Sequence, residues 1–231
     1  PDWHLRQYAA RAAGILGDTA TLRRLAADRD DNVAETAIGA LSRLTGHADD
    51  ALFLAAIDRR GAQVVRAGAM ALKGSPRTDV AASAARAFER WVERGNASAL
   101  DARVALLEAA GRPASEDRPP PVRVALPRDA VALALGREIR LRVTMDRASG
   151  GGRFDLRLRG DVAPMMAARI LALVRDGYYD GLSWHRVEHD FVIQGGSPGA
   201  NEYVGLAQFM RDELGNVTHA RGTLGMSTRG H

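Results

Sequence analysis

The side chains that could do chemistry are concentrated in residues 177–196, which hold histidines, acidic residues, an arginine and a glutamine. His185, Glu188 and His189 fit H-x-x-E-H, a zinc-binding pattern when both histidines share one helical face. The β-branched pair at 192–193 and nearby glycines favour strands here, so we predict no metal site. The chain has no cysteine. Thiol catalysis, disulfides and cysteine-based zinc sites are therefore excluded.

A longer ordered pattern surrounds these residues. It is strongest over 177–196 and extends over about 138–231, and it closely resembles the cyclophilin-type peptidyl-prolyl cis-trans isomerases. The matching runs are Tyr-Tyr-Asp-Gly at 178–181, Trp-His-Arg-Val at 184–187, Phe-Val-Ile-Gln-Gly-Gly at 191–196, Asp-Glu at 212–213 and Arg-Gly-Thr-Leu-Gly-Met at 221–226. The resemblance implies the N-terminal half of a cyclophilin-like β-barrel, because the family continues beyond the position matching His231.

The resemblance also implies a role for six residues. They are Arg186 as the catalytic arginine, Gln194 as the amide that binds a substrate carbonyl, Phe191 as the floor of the proline pocket, Val192 as a further pocket residue, and Ser227 and Thr228 as contacts to the substrate backbone. Read without this context, Arg186 is a surface strand arginine, Phe191 a core residue and Gln194 an amide joining two loops.

The implied reaction, rotation about an X–Pro bond, is physically compatible with such a set. The barrier is about 18–20 kcal/mol, and no covalent bond breaks, so no acid–base machinery, metal or cofactor is needed. An arginine can donate a hydrogen bond to the imide nitrogen as it becomes pyramidal, an interaction available only in the twisted state. We therefore expect no cofactor.

Charge and hydropathy exclude other classes of function. The 231 residues carry 32 Lys plus Arg against 28 Asp plus Glu, a net charge of +4. The excess is spread evenly over both halves, so no basic nucleic-acid module is expected. No apolar run approaches the ~18–20 residues of a membrane span. The compartment is not predicted, since cytoplasm and periplasm both agree with a cysteine-free chain.

The first part of the chain predicts paired helices. The segment 33–41 aligns with 64–72, an offset of 31 residues, and 5–13 fits the same frame 28 residues before 33. A period of about 30 residues indicates an α-solenoid. The pattern resembles short bacterial HEAT-like repeats, with an ordinary alanine-rich helical bundle as the alternative. The arginines scattered over it are interpreted as a solvated face.

The composition changes near residue 111 and predicts three regions. Residues 1–111 are HEAT-like helical repeats, 112–127 a Pro-rich linker, and 128–231 a cyclophilin-like domain truncated at its C-terminus. Proline-rich sequence cannot continue a helix, and after it the pattern alternates at 140–145 and 153–159, as in strands. The predicted fold class is therefore a multidomain α and β protein, an N-terminal α-solenoid plus a partial cyclophilin-like β-barrel.

Together these observations predict a bacterial peptidyl-prolyl isomerase (rotamase) that assists protein folding. It would act on X–Pro bonds of peptide or protein clients, with the helical repeats as a scaffold for a protein partner. The alternative is a non-catalytic protein that binds proline-containing segments. Because the chain opens at Pro1 rather than Met, we treat it as a fragment, and we expect low activity from these 231 residues alone.

Overall fold

A computed structural model describes residues 2–95, 99–118, 126, 128–198, 210 and 212–227. Over these residues it contains helices and four short strands. The helices are α1 Trp3–Leu16, α2 Thr19–Ala26, α3 Asp31–Thr45, α4 Asp50–Ile57, α5 Ala62–Leu72, α6 Val80–Glu93, α7 Leu100–Ala109, α8 Arg128–Gly136 and α9 Pro164–Arg175. The strands are β1 Ile139–Thr144, β2 Arg153–Leu158, β3 Trp184–Glu188 and β4 Val192–Gly195.

Aspartates begin the first three helices. The side chain of Asp18 accepts a hydrogen bond from the backbone N–H of Thr21 at 3.0 Å, and Asp30 accepts one from Asn32 at 3.0 Å. Asp2 caps α1 in the same way. Such caps satisfy backbone donors that the first helical turn leaves unpaired. The bond from Thr21 also lowers the pKa of Asp18.

Helices α1 to α7 form an array of paired helices around one core. α1, α3, α5 and α7 pack on one another in succession, and α2, α4 and α6 pack against them. Much of the core is alanine, with Phe53 and several Leu, Val and Ile side chains completely buried. A Cβ added at Gly68 would lie 2.8 Å from that of Ala56, so small residues permit this close approach of α4 and α5. The predicted helical array is confirmed.

Arginines join the helices of the array instead of forming only a solvated face. The pairs are Arg6–Asp28 at 2.7 Å, Arg23–Asp49 at 2.7 Å and Arg59–Asp31 at 2.8 Å. Each pair bridges residues more than twenty positions apart. The interpretation of the arginines as a solvated face is therefore corrected for Arg6 and Arg59, which are only 19% and 26% exposed, whereas Arg23 remains 46% exposed.

The chain after α7 folds back onto the array. Residues Ala114–Glu116 form one turn of 3-10 helix, and Asp117 follows it. Asp117 pairs with Arg103 of α7 at 2.9 Å, and both side chains are only 2% exposed. The beginning of the predicted linker is thus packed. Residues 119–125 and 127 lie outside the described part of the chain.

A second, smaller core is formed by α8, α9 and strand β1. Strands β1 and β2 pair antiparallel with Ile139 opposite Leu158 and Thr144 opposite Arg153. The buried residues of this core are Ala130, Ala134, Ile139, Ala167, Ala168 and Leu171. The sequence predicts that this part begins with a strand, but α8 precedes β1. The apolar alternation of β1 was recognised, whereas the alanine-rich run before it was not.

The described residues contain two separate two-stranded sheets, β1–β2 and β3–β4, and no closed barrel is formed among them. By compactness the chain divides into one unit of Pro1–Val122 with Ser183–Gln208 and another of Arg123–Leu182 with Phe209–His231. The domain boundaries drawn from composition remain predictions. Within the described residues, no helix is both long and apolar enough to cross a membrane.

Candidate functional site

The candidate site is built on the β3–β4 hairpin. A tight turn joins its strands, and Asp190 adopts a left-handed conformation there with φ 55°. Asp is one of the few residues besides Gly that tolerates this region. The backbone N–H of Phe191 donates to the carbonyl of Glu188 at 3.2 Å and closes the turn. The H-x-x-E-H pattern therefore lies on strand β3 and in the turn after it, where His189 is placed, and not on a helix, in agreement with the predicted strand.

The register of this hairpin brings three of the predicted site residues together. Arg186 lies directly opposite Gln194. Nη1 of Arg186 donates to Oε1 of Gln194 at 3.1 Å. The guanidinium carbon also lies 5.7 Å from the centre of the Phe191 ring, within the range of a cation–π contact. The arginine thus contacts both the amide and the aromatic ring.

Glu188 is a further member of this group, which the sequence suggested only as part of the H-x-x-E-H pattern and not as a partner of Arg186. Its Oε1 lies 3.4 Å from Nε of Arg186. The two residues are two positions apart on one strand, so they share a face, which is the signal that could have identified Glu188. Both side chains are about half exposed. Exposed pairs of this kind contribute about 0–1 kcal/mol, so the pair orients Arg186 without fixing it.

Phe191 is 77% exposed, and Val187 and Ile193 on the opposite face of the hairpin are also exposed. Val192, opposite Glu188, is half-buried. A Cβ added at Gly195 would lie 2.7 Å from the Trp184 ring, so glycine permits that ring to cover the strand. The hairpin therefore presents Phe191 as an open apolar surface.

The remaining predicted site residues lie at the end of the chain. Ser227 is exposed, in the second compact unit. Thr228 lies outside the described residues. Among the described residues, no group of three or more histidine and acidic side chains could hold a metal ion.

Glu213 anchors the segment that leads towards Ser227. Its two carboxylate oxygens accept hydrogen bonds from the backbone N–H groups of Met165 and Met166, at 3.0 and 2.7 Å. These are unpaired donors of the first turn of α9, where a negative charge is also favoured by the helix dipole. In the sequence, Glu213 stands out only as part of the Asp-Glu pair at 212–213. Its contacts 47 and 48 residues away could not be predicted from spacing.

Two tyrosines follow the end of α9. The rings of Tyr178 and Tyr179 meet edge to face with centres 5.0 Å apart. Burial raises the pKa of Tyr179 to about 12, and it raises the pKa of Tyr178 as well. Two phenols that ionise above their ordinary range are uncharged at neutral pH. This agrees with a packing role for the pair.

The C-terminal part of the chain is similar to known proteins. Residues 141–231 match the family model described as cyclophilin type peptidyl-prolyl cis-trans isomerase/CLD. No solved structure matches the chain significantly.

Curated relatives match parts of the chain. A Streptococcus pyogenes protein named as a bifunctional phosphatase/peptidyl-prolyl cis-trans isomerase is 37% identical over 86 residues, which cover 34% of this chain and 18% of that protein. Proteins named as peptidyl-prolyl cis-trans isomerases are 43% identical over 49 residues in Staphylococcus haemolyticus (21% of this chain, 25% of the relative) and 34% identical over 83 residues in Staphylococcus aureus (34% and 42%). The chain spans less than half the length of these relatives.

Proposed function

We propose that the protein catalyses cis–trans isomerisation of X–Pro bonds in peptide or protein clients, with Arg186 as its catalytic residue, since residues 141–231 match the model of the cyclophilin-type peptidyl-prolyl cis-trans isomerase family. The observation that carries the proposal is the grouping of Arg186 with Gln194 and Phe191 on one hairpin. A bound proline ring would lie on Phe191 while Arg186 reaches its nitrogen.

Each side chain has a defined part in this reaction. A guanidinium has five N–H groups, and the contacts with Gln194 and Glu188 engage two of them. The others are free to donate to an imide nitrogen whose lone pair localises as the bond twists. Because that lone pair is delocalised in the planar ground state, the hydrogen bond favours the transition state selectively.

Gln194 is oriented by the same arginine. Its Oε1 accepts from Arg186, so its Nε2 group is left to donate to the carbonyl of the substrate. When the carbonyl that precedes proline is held by this hydrogen bond, the rotation about the X–Pro bond moves only the prolyl side of the peptide. A ~10⁵-fold acceleration requires about 7 kcal/mol of selective stabilisation, which oriented hydrogen bonds in a partly desolvated site can supply.

The test is the exchange rate of an Ala-Pro peptide, measured without protease by NMR on the protein expressed from its complete reading frame. Arg186→Ala is expected to lower the rate constant by about 10²–10³-fold, with peptide affinity changed much less. Arg153→Ala on β2, another exposed strand arginine, is the matched control and is expected to retain full activity. Equal rates in the two variants would contradict the assignment of Arg186.

The alternative is a protein that binds proline-containing segments without turnover. The contact between Glu188 and Arg186 is the observation that favours it, because a carboxylate on the guanidinium competes with the substrate. In that case, the unmodified protein shows peptide binding but no acceleration of exchange. Glu188→Gln separates the two further, since it is expected to raise the rate of an enzyme and to leave a binder inactive.

The second part of the proposal is that the helical array recruits protein clients. Its support is the architecture, because stacked helical pairs present extended surfaces to partners. A permanently unfolded protein without proline, added as competitor, is expected to inhibit catalysed refolding of a proline-limited protein but not isomerisation of the short peptide. Equal inhibition of both assays, or of neither, would contradict a separate client site on the array.

A further inference from the structure

Helix α1 carries an apolar stripe on the side that does not face α3. It consists of Leu5, Tyr8, Ala9, Ala12 and Ile15, all exposed, with Leu5 65% and Ile15 87% accessible. Their spacing of three and four residues places them on one face of the helix. The opposite side of α1 is packed into the array. A helix that is apolar on both sides is typical of an interior position.

Helix α3, which packs next to α1 in the array, indicates the function of this stripe. With the repeat offset of 28 residues, Leu5 corresponds to Val33 of α3, and Ala12 corresponds to Ala40. Val33 is 0% and Ala40 3% exposed. A Cβ added at Gly14 of α1 would lie 3.0 Å from that of Ala40, so this position of α3 faces the preceding helix.

A polar contact between the same two helices supports the equivalence. Gln7 of α1 donates from Nε2 to the hydroxyl oxygen of Thr36 on α3 at 3.2 Å. The residue that corresponds to Thr36 on α1 is Tyr8, which is 62% exposed. The stripe of α1 therefore occupies the repeat positions that α3 uses to receive its predecessor.

The other end of the array is closed differently. Beyond α7, the buried ion pair of Arg103 with Asp117 ties the following residues to the last helix. Arg112 adds a contact with Glu116 at 2.6 Å and lies 5.3 Å from the centre of the Phe88 ring. Terminal repeats of a solenoid need such polar covers. The outer face of α1 has the composition of an internal interface instead.

We propose that the outer face of α1 is an internal interface of the array, covered in the complete protein by one more helix of the same kind, supplied by the polypeptide that precedes Asp2. The occupying helix is expected to present small and polar residues to α1, as α1 presents Gly14 and Gln7 to α3. Intramolecular stacking is favoured because each helical pair of such an array buries its stripe against the next in sequence.

Thiol labelling tests this proposal cleanly, because the chain has no cysteine of its own. Leu5→Cys and Tyr8→Cys report on the stripe. Met70→Cys is the matched control, since Met70 is 55% exposed on α5. In the 231-residue chain, all three thiols are expected to react at similar rates. In the protein expressed from its complete reading frame, positions 5 and 8 are expected to react at least about tenfold more slowly than position 70.

The dependence of the labelling rates on protein concentration identifies what covers the outer face of α1. Protection that is the same at all concentrations supports an intramolecular helix. Protection that grows with concentration would assign the face to a second copy of the chain and overturn the proposal. Equal labelling at positions 5, 8 and 70 in the complete protein would overturn it too, as would a reading frame that adds no helix before Asp2.

Discussion

Replacing Asp117 with alanine is expected to destabilise the helical array strongly. Asp117 and Arg103 are each 2% exposed, and Nε of Arg103 lies 2.9 and 3.1 Å from the two carboxylate oxygens. Removing one partner leaves a charge in surroundings that solvate it poorly, which costs about 3–5 kcal/mol. At this chain length, each kcal/mol corresponds to about 2–4 °C in Tm, so a decrease of about 6–20 °C is expected.

The measurement is thermal and urea unfolding followed by far-UV circular dichroism, which is dominated by the helices. Asp117→Asn retains one acceptor oxygen and is expected to lose less stability than the alanine variant. Asp155→Ala removes the exposed pair with Arg142 and is the control, expected to change Tm little. If Asp117→Ala unfolds at the same temperature as Asp155→Ala, the buried pair does not fasten the end of the array.

Three further substitutions test other parts of the structure. Gly160→Ala places a Cβ 1.8 Å from the backbone of α8 and is expected to cost about 1–3 kcal/mol in urea unfolding, whereas Gly136→Ala, with open space around it, is not. Tyr179→Phe is expected to remove the tyrosine ionisation that occurs at the highest pH in a titration followed by absorbance at 295 nm. In the unmodified protein, the burial of this phenol contributes stability that is lost as pH rises from about 10 to about 12. Arg6→Ala is expected to lower Tm at pH 7, because the hydrogen bond from Arg6 stabilises the ionised carboxyl of Asp28 and lowers its pKa. The difference in Tm between the variant and the unmodified protein should disappear as the pH falls through that lowered pKa. A difference in Tm that persists at low pH would contradict this.

The helical part of the fold could be predicted because its signals are local. The 28- and 31-residue offsets placed α1, α3 and α5, and most apolar repeat positions of α3 and α5 are buried as predicted, whereas Leu5, Ala9 and Ala12 of α1 are exposed. The features that the sequence did not predict are contacts between residues far apart in the chain. The pair of Arg103 with Asp117 joins a helix to a segment that composition alone assigns to a linker, since proline content reports on backbone freedom and not on a contact fourteen residues away.

In the candidate site, too, local features could be predicted from the sequence and contacts with other elements could not. Arg186 and Gln194 face each other because a tight turn fixes the register of the hairpin, and register follows from a short stretch of sequence. The exposure of Phe191 could not be predicted, because burial depends on which elements cover a strand. Glu188 was considered only as a possible zinc ligand, and its contact with Arg186 was missed although its position two residues away places it on the same face.

The strength of a hydrogen bond from Arg186 to a substrate depends on the water around the guanidinium as much as on the distance between the two groups. A guanidinium at hydrogen-bond distance from a substrate stabilises little charge when solvent screens it, and several-fold more when the surroundings are dry. Arg186 and Glu188 are about half exposed on the hairpin, so their mutual attraction is weak. A proline ring placed on Phe191 would displace water from the guanidinium, strengthening its hydrogen bond to the twisted imide. It follows that truncating Phe191 to alanine should lower the rate constant as well as the affinity for peptide, whereas a residue that only binds the ring would affect affinity alone.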